Sequence, residues 1–112
     1  MNSTRQSLID VLRETQVYLA RPGNDFAWSG WDGADGALGE LAAHVDTLEA
    51  GRLPERDDLN VLFAPTGSIQ EVSISSGWGE EFLALAERFD RALRRAYRWR
   101  LIAAWPRWLF TK

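Results

Sequence analysis

The chain has 112 residues, 46% apolar and 26% charged, ordinary values for one globular domain long enough to bury a core. It contains no cysteine, which excludes a disulfide framework, a thiolate metal site and a cysteine nucleophile. The net charge of −3 conceals a split: residues 1–90 hold all 16 acidic residues against six arginines, and residues 91–112 hold seven basic residues and no acid.

Ser3 or Thr4 can cap a first helix running to about Ala20, with Leu8, Val11, Leu12 and Leu19 on one face. Arg21-Pro22-Gly23-Asn24-Asp25 stops it, because proline and glycine do not continue a helix and Asn-Asp suits a turn. The aromatic connector Phe26-Ala27-Trp28-Ser29-Gly30-Trp31 follows. Ser29 and Asp32 have the spacing of a capping box, which predicts a second helix from about Gly30 to Ala50. Its apolar face is Ala34, Leu38, Leu41, Val45 and Leu48, and Gly51 suits its C-terminal cap. Gly33, Gly36 and Gly39 are costly inside a helix, so either its first turns are irregular or a neighbouring element packs close, which would make Gly36 and Gly39 contact points.

Pro54 suits the first turn of a short third helix whose apolar residues are Leu59, Leu62 and Phe63. Pro65-Thr66-Gly67 ends it. Val72 and Ile74 alternate with Glu71, Ser73 and Ser75, which reads as a short, half-buried extended segment. Ser76 or Gly77 then caps the last helix, which carries Glu80 and Glu81 in its first turn. Phe82, Leu85, Ala86, Phe89, Leu93 and Ala96 form its stripe, and it runs to about Ala104 before Pro106. The expected fold is all-α, a small bundle of about four helices with an irregular loop insert before the last. The alternative is α+β, with a short hairpin near residues 69–75. Residues 1–97 form the helical domain, and residues 98–112 a basic, aromatic C-terminal tail.

The insert, residues 64–81, has the glycines and polar tips of a binding surface. Gly77-Trp78-Gly79 precedes a helix N-terminus, where anions are favoured. It lacks the Gly-Lys-Ser/Thr ending of a phosphate loop, and Glu80 and Glu81 oppose a phosphate. For Trp78 itself, packing in the core outweighs a role on the surface, since tryptophans are mostly buried. The segment APTGSIQEVSISSGWGEEFLALAERFD, within residues 62–90, resembles a stretch of a family of small uncharacterised bacterial proteins, of the domain-of-unknown-function type. The connector PGNDFAWSGW fits the same resemblance. Small acidic families of this kind suggest immunity or antitoxin partners, so the resemblance implies protein binding and brings no catalytic residue.

Glu40 and His44 share a helix face, but two ligands do not make a metal site, and a surface histidine is the simpler account. The run Asp32-Gly33-Ala34-Asp35-Gly36 lacks the ligand spacing of a calcium loop. Ser76, His44 and Asp25 could be assembled into a triad on paper, yet no nucleophile-elbow pattern surrounds Ser76. No cofactor, metal or catalytic residue is expected, and the chain is not expected to be an enzyme. The N-terminus lacks an apolar leader, and no stretch is long enough to span a membrane. With arginine as 12 of the 13 basic residues, this points to a cytoplasmic bacterial protein.

The function expected is protein binding, with Trp28, Trp31, Gln70, Glu71, Trp78 and Glu80 on an acidic, tryptophan-lined surface. The alternatives are a small-ligand binder using the 64–81 loop and a peripheral membrane protein using the tail. The tail residues Arg98, Trp99, Trp105 and Trp108 mix basic and aromatic groups, as protein hot spots do. Such a mixture also suits a membrane surface, which is not favoured because Pro106 interrupts the short segment. Nucleic acid is not expected, because the acidic body repels phosphate at long range. The tail either folds back on its own acidic body or meets a second copy, and a homo-oligomer held through the tail is a simpler outlet for its aromatics than a membrane.

Overall fold

Apolar residues recur at helical spacing along most of the chain, and the described residues fold accordingly, as five α-helices and one 3-10 turn with no strand. The structure, a computed structural model, describes the backbone of residues 3–103 and the side chains of residues 4–98. The helices are α1 (Ser3–Leu19), α2 (Ala34–Glu49), α3 (Arg56–Asn60), α4 (Ser68–Ser76) and α5 (Gly79–Ala103); the 3-10 turn, Val61–Phe63, continues α3. The fold is all-α.

α1 is the central strut and runs antiparallel to both α2 and α5. Arg13 of α1 pairs with Glu49 at the end of α2, while the Gln16 side-chain amide donates to the Leu38 carbonyl at 3.3 Å nearer its start. On the other side Arg88 reaches Glu14 at 2.7 Å, and the Tyr18 ring lies 5.0 Å from that of Trp78. The ion pairs are exposed and contribute under about 1 kcal/mol each. The apolar stripes contribute far more. Leu8, Leu12 and Leu19 of α1, Leu41 and Leu48 of α2, and Phe82, Phe89 and Leu93 of α5 are all buried. Burying each such side chain is worth about 1.5–3 kcal/mol.

α3 and its 3-10 turn close one side of the core. Phe63 stacks on Phe89 with ring centroids 4.0 Å apart and lies 6.2 Å from Phe82. Near the far end of the described side chains, the Tyr97 hydroxyl donates to the Pro54 carbonyl.

The insert before α5 differs from expectation. Residues 69–75 are neither an irregular loop nor part of a hairpin; they lie within α4. Ile69, Val72 and Ser73 are buried, and Ile74 is exposed. The apparent alternation of Val72 and Ile74 with serines is the sampling of a helix whose inner face includes a serine. Gly67 permits the turn into α4. A Cβ there would sit 2.8 Å from the Val61 carbonyl oxygen and 2.9 Å from that of Ala64. Gly77, at φ 86, ends α4 in the left-handed region. It therefore caps α4 rather than α5. The Trp78 carbonyl accepts the Phe82 amide at 2.9 Å and opens α5.

The second helix is also shorter than expected. It begins at Ala34, after Gly33, with no side-chain cap. Ser29 and Asp32 form no capping box. The Ser29 hydroxyl instead donates to the Phe26 carbonyl at 2.9 Å and accepts the Trp31 amide at 3.1 Å, so it folds the connector itself. Of the two glycines expected to meet a neighbour, Gly36 lies under the Trp31 ring and Gly39 faces open space. α5 continues unbroken past Tyr97 to Ala103, so no change of secondary structure marks residue 98.

Candidate functional site

One asparagine fixes the aromatic connector. The Asn24 side-chain amide donates to the carbonyls of Tyr18 and Leu19 at 2.8 and 3.1 Å, satisfying the C-terminal end of α1. Its oxygen accepts the Trp78 indole N–H at 3.0 Å. Trp78 is only 1% exposed, so this bond supplies the partner its buried N–H needs. Arg21 lies over the Tyr18 ring, 4.2 Å from its centroid, and covers the same corner.

From Asn24 the connector passes along α4 in the opposite direction. The Asp25 amide donates to the Ser76 hydroxyl at 2.9 Å, and the Gly30 amide donates to the Ser68 hydroxyl at 3.4 Å. The serines of α4 thus act as acceptors for a neighbouring loop. Ser76 and Asp25 do meet, but through the Asp25 backbone; the Asp25 carboxylate accepts the Ala27 amide at 2.9 Å instead. Between these two anchors Trp28 stands 75% exposed. Trp31 is half-buried against α2, and its indole N–H donates to Glu40 at 3.0 Å. Asp25, Asp32 and Asp35 are exposed around the connector.

On the other flank of α4 an open depression of about 880 Å³ separates it from the start of α5. Ile74 and Leu83, 63% and 61% exposed, both line it, as do Gln70, Glu80 and Glu81. The 3.6-residue repeat puts Gln70 and Ile74 on the side of α4 opposite Ser68 and Ser76. The Gln70 oxygen accepts the Thr66 amide and so holds the turn before α4, where Thr66 has φ 61.

The six residues expected to form one surface therefore divide. Trp28 and Trp31 belong to the connector, Gln70 and Glu80 to the depression, and Glu71 is half-buried in the first turn of α4. Trp78 does not join them on any surface: it is buried in the core, the reading that packing favoured for it. The tail tryptophans Trp99, Trp105 and Trp108 lie outside the residues whose side chains are described; Arg98 is exposed. Sequence reasoning missed Asn24, Ile74 and Leu83. Leu83 carried a signal, since it lies off the Phe82-Leu85-Phe89 stripe and so had to face outward.

Among the described residues no three His, Asp or Glu side chains gather in a metal-binding group, and no helix is long and apolar enough to cross a membrane. Glu40 is engaged by Trp31, and His44 is half-buried on α2. No family model, curated protein or solved structure matches the chain.

Proposed function

We propose that this protein is a protein-binding module that offers Trp28, in an acidic setting, to a basic partner protein. The observation that carries this reading is the three-quarters exposure of Trp28 on a connector held at both ends by α4. An exposed indole costs hydration free energy that a mere linker has no reason to bear. Held rigidly, it loses little freedom on binding, the property that makes tryptophan an anchor in interfaces. The exposed carboxylates of Asp25, Asp32 and Asp35 favour a partner of opposite charge and raise its association rate. An immunity or antitoxin role in a bacterial cytoplasm accords with that design and with the resemblance over residues 62–90.

The test is a pull-down from the native host with the wild-type protein and the Trp28→Ala variant. A basic protein retained by the first and lost by the second, at equal melting temperature, is the expected result. Identical captures by both proteins, or no capture by either, would sink the proposal.

A further inference from the structure

The depression between α4 and α5 calls for an occupant distinct from the partner of Trp28. Ile74 and Leu83 are large aliphatic side chains, each more than 60% exposed, and both line the depression. Among the described residues no basic side chain lines the depression, and Glu80 and Glu81 both do. It therefore suits a segment that is apolar or aromatic along its length and positively charged at its sides.

The sequence contains one such segment. Residues 98–112 hold Trp99, Trp105 and Trp108, with Arg98, Arg100, Arg107 and Lys112, and no acid. Its own copy cannot bring it there. The rise of α5 places Ala103 about 35 Å from Glu80 and about 30 Å from Leu83. Trp105 and Trp108 follow Ala103 by two and five residues, which extend at most about 7 and 18 Å. Neither tryptophan reaches the depression in the same molecule.

A second copy has no such limit. Along α5 the acids Glu80 and Glu81 come first and Arg95, Arg98 and Arg100 come last, while Glu87 and Asp90 pair with Arg91 and Arg94 of the same helix. Two copies with their α5 helices antiparallel bring the basic end of each to the acidic start of the other. That arrangement is two-fold symmetric, makes the same contact twice and closes. We infer that the Ile74–Leu83 depression binds the basic, tryptophan-rich segment 98–112 of a second copy of this chain, giving a reciprocal dimer. The contact lies on the flank of α4 away from Trp28, so the dimer keeps the connector available.

Light scattering and sedimentation of the full chain test this. The wild type is expected to be a dimer at high micromolar concentration and to dissociate as salt rises from about 0.05 to about 0.5 M. Ile74→Ser combined with Leu83→Ser should weaken association at least about tenfold, with an unchanged helical spectrum because both side chains are exposed. Trp105→Ala combined with Trp108→Ala should do the same. Mixing the two double variants should restore a heterodimer tighter than either forms alone, because one depression and one segment remain intact and complementary. Trp28→Ala should dimerise normally. A wild type that stays monomeric overturns the inference, whether its segment packs on its own body or stands free. So does a dimer indifferent to the Ile74/Leu83 change, a dimer indifferent to the Trp105/Trp108 change, or a mixture that fails to complement.

Discussion

At the scale of single residues, the clearest division is between two tryptophans. Trp28 and Trp78 both sit in short, glycine-rich stretches, and the general burial of tryptophan, which favoured the core for Trp78, applies equally to both. The difference comes from Asn24. Its amide satisfies two carbonyls of α1, and its oxygen then points at the Trp78 N–H. That geometry exists only once α1, the connector and α5 have met, so local sequence cannot display it. Asn24 therefore reads as a turn residue in the sequence and as a junction in the structure. Replacing Asn24 with Asp keeps the acceptor for Trp78 but sets a carboxylate against two carbonyl oxygens. The expected loss is about 2–3 kcal/mol, seen as a lower midpoint in urea unfolding. Asn24→Ser, which can still donate once, should lose less. Equal midpoints for wild type and Asn24→Asp would show that this junction carries no stability.

At the scale of elements, the long helices were legible and α4 was not. α1, α2 and α5 each repeat large apolar residues at helical spacing over about three turns or more. No short-range accident imitates that. α4 has nine residues, and its inner face includes Ser73, whose buried hydroxyl donates to the Gln70 carbonyl at 2.7 Å. Counting serine as polar removes one member of the stripe and leaves Val72 and Ile74 looking like alternate residues of a strand. The position of α4 depends on the turn before it, where Gly67 approaches two backbone oxygens. Gly67→Ala pushes a methyl against atoms that belong to the main chain and cannot rotate away. The expected cost is about 1–3 kcal/mol. A drop of several degrees in melting temperature should follow. Hydrogen exchange at the Asp25 and Gly30 amides should quicken as well, because their acceptors Ser76 and Ser68 ride on α4. An unperturbed melt would mean the turn relaxes freely.

At the scale of the molecule, the charge asymmetry and the change of character after Tyr97 were both visible from the sequence; the continuation of the helix across that point was not. The change of composition after Tyr97 suggested a boundary between residues 97 and 98. The helix ignores it and continues to Ala103. What changes there, among the described residues, is contact. Tyr97 is buried and its hydroxyl bonds the Pro54 carbonyl, tying α5 to the segment that leads into α3; Arg98, the next residue, is exposed. Two truncations separate a boundary of contact from one of helix. Compared at concentrations below the dimer dissociation constant, a chain ending at Arg98 keeps the Tyr97 tie and should melt within about 4 °C of the full chain, a change of under about 1 kcal/mol. A chain ending at Ala96 removes a buried aromatic ring and leaves the Pro54 carbonyl without its partner. It should lose about 3–5 kcal/mol, enough to unfold much of a domain whose total stability is of the order of 5–15 kcal/mol. Calorimetry on the pair decides the matter. If both truncated chains lose the same large amount, residues 99–112 belong to the folded body. If neither loses any, Tyr97 is not the last residue that the core requires.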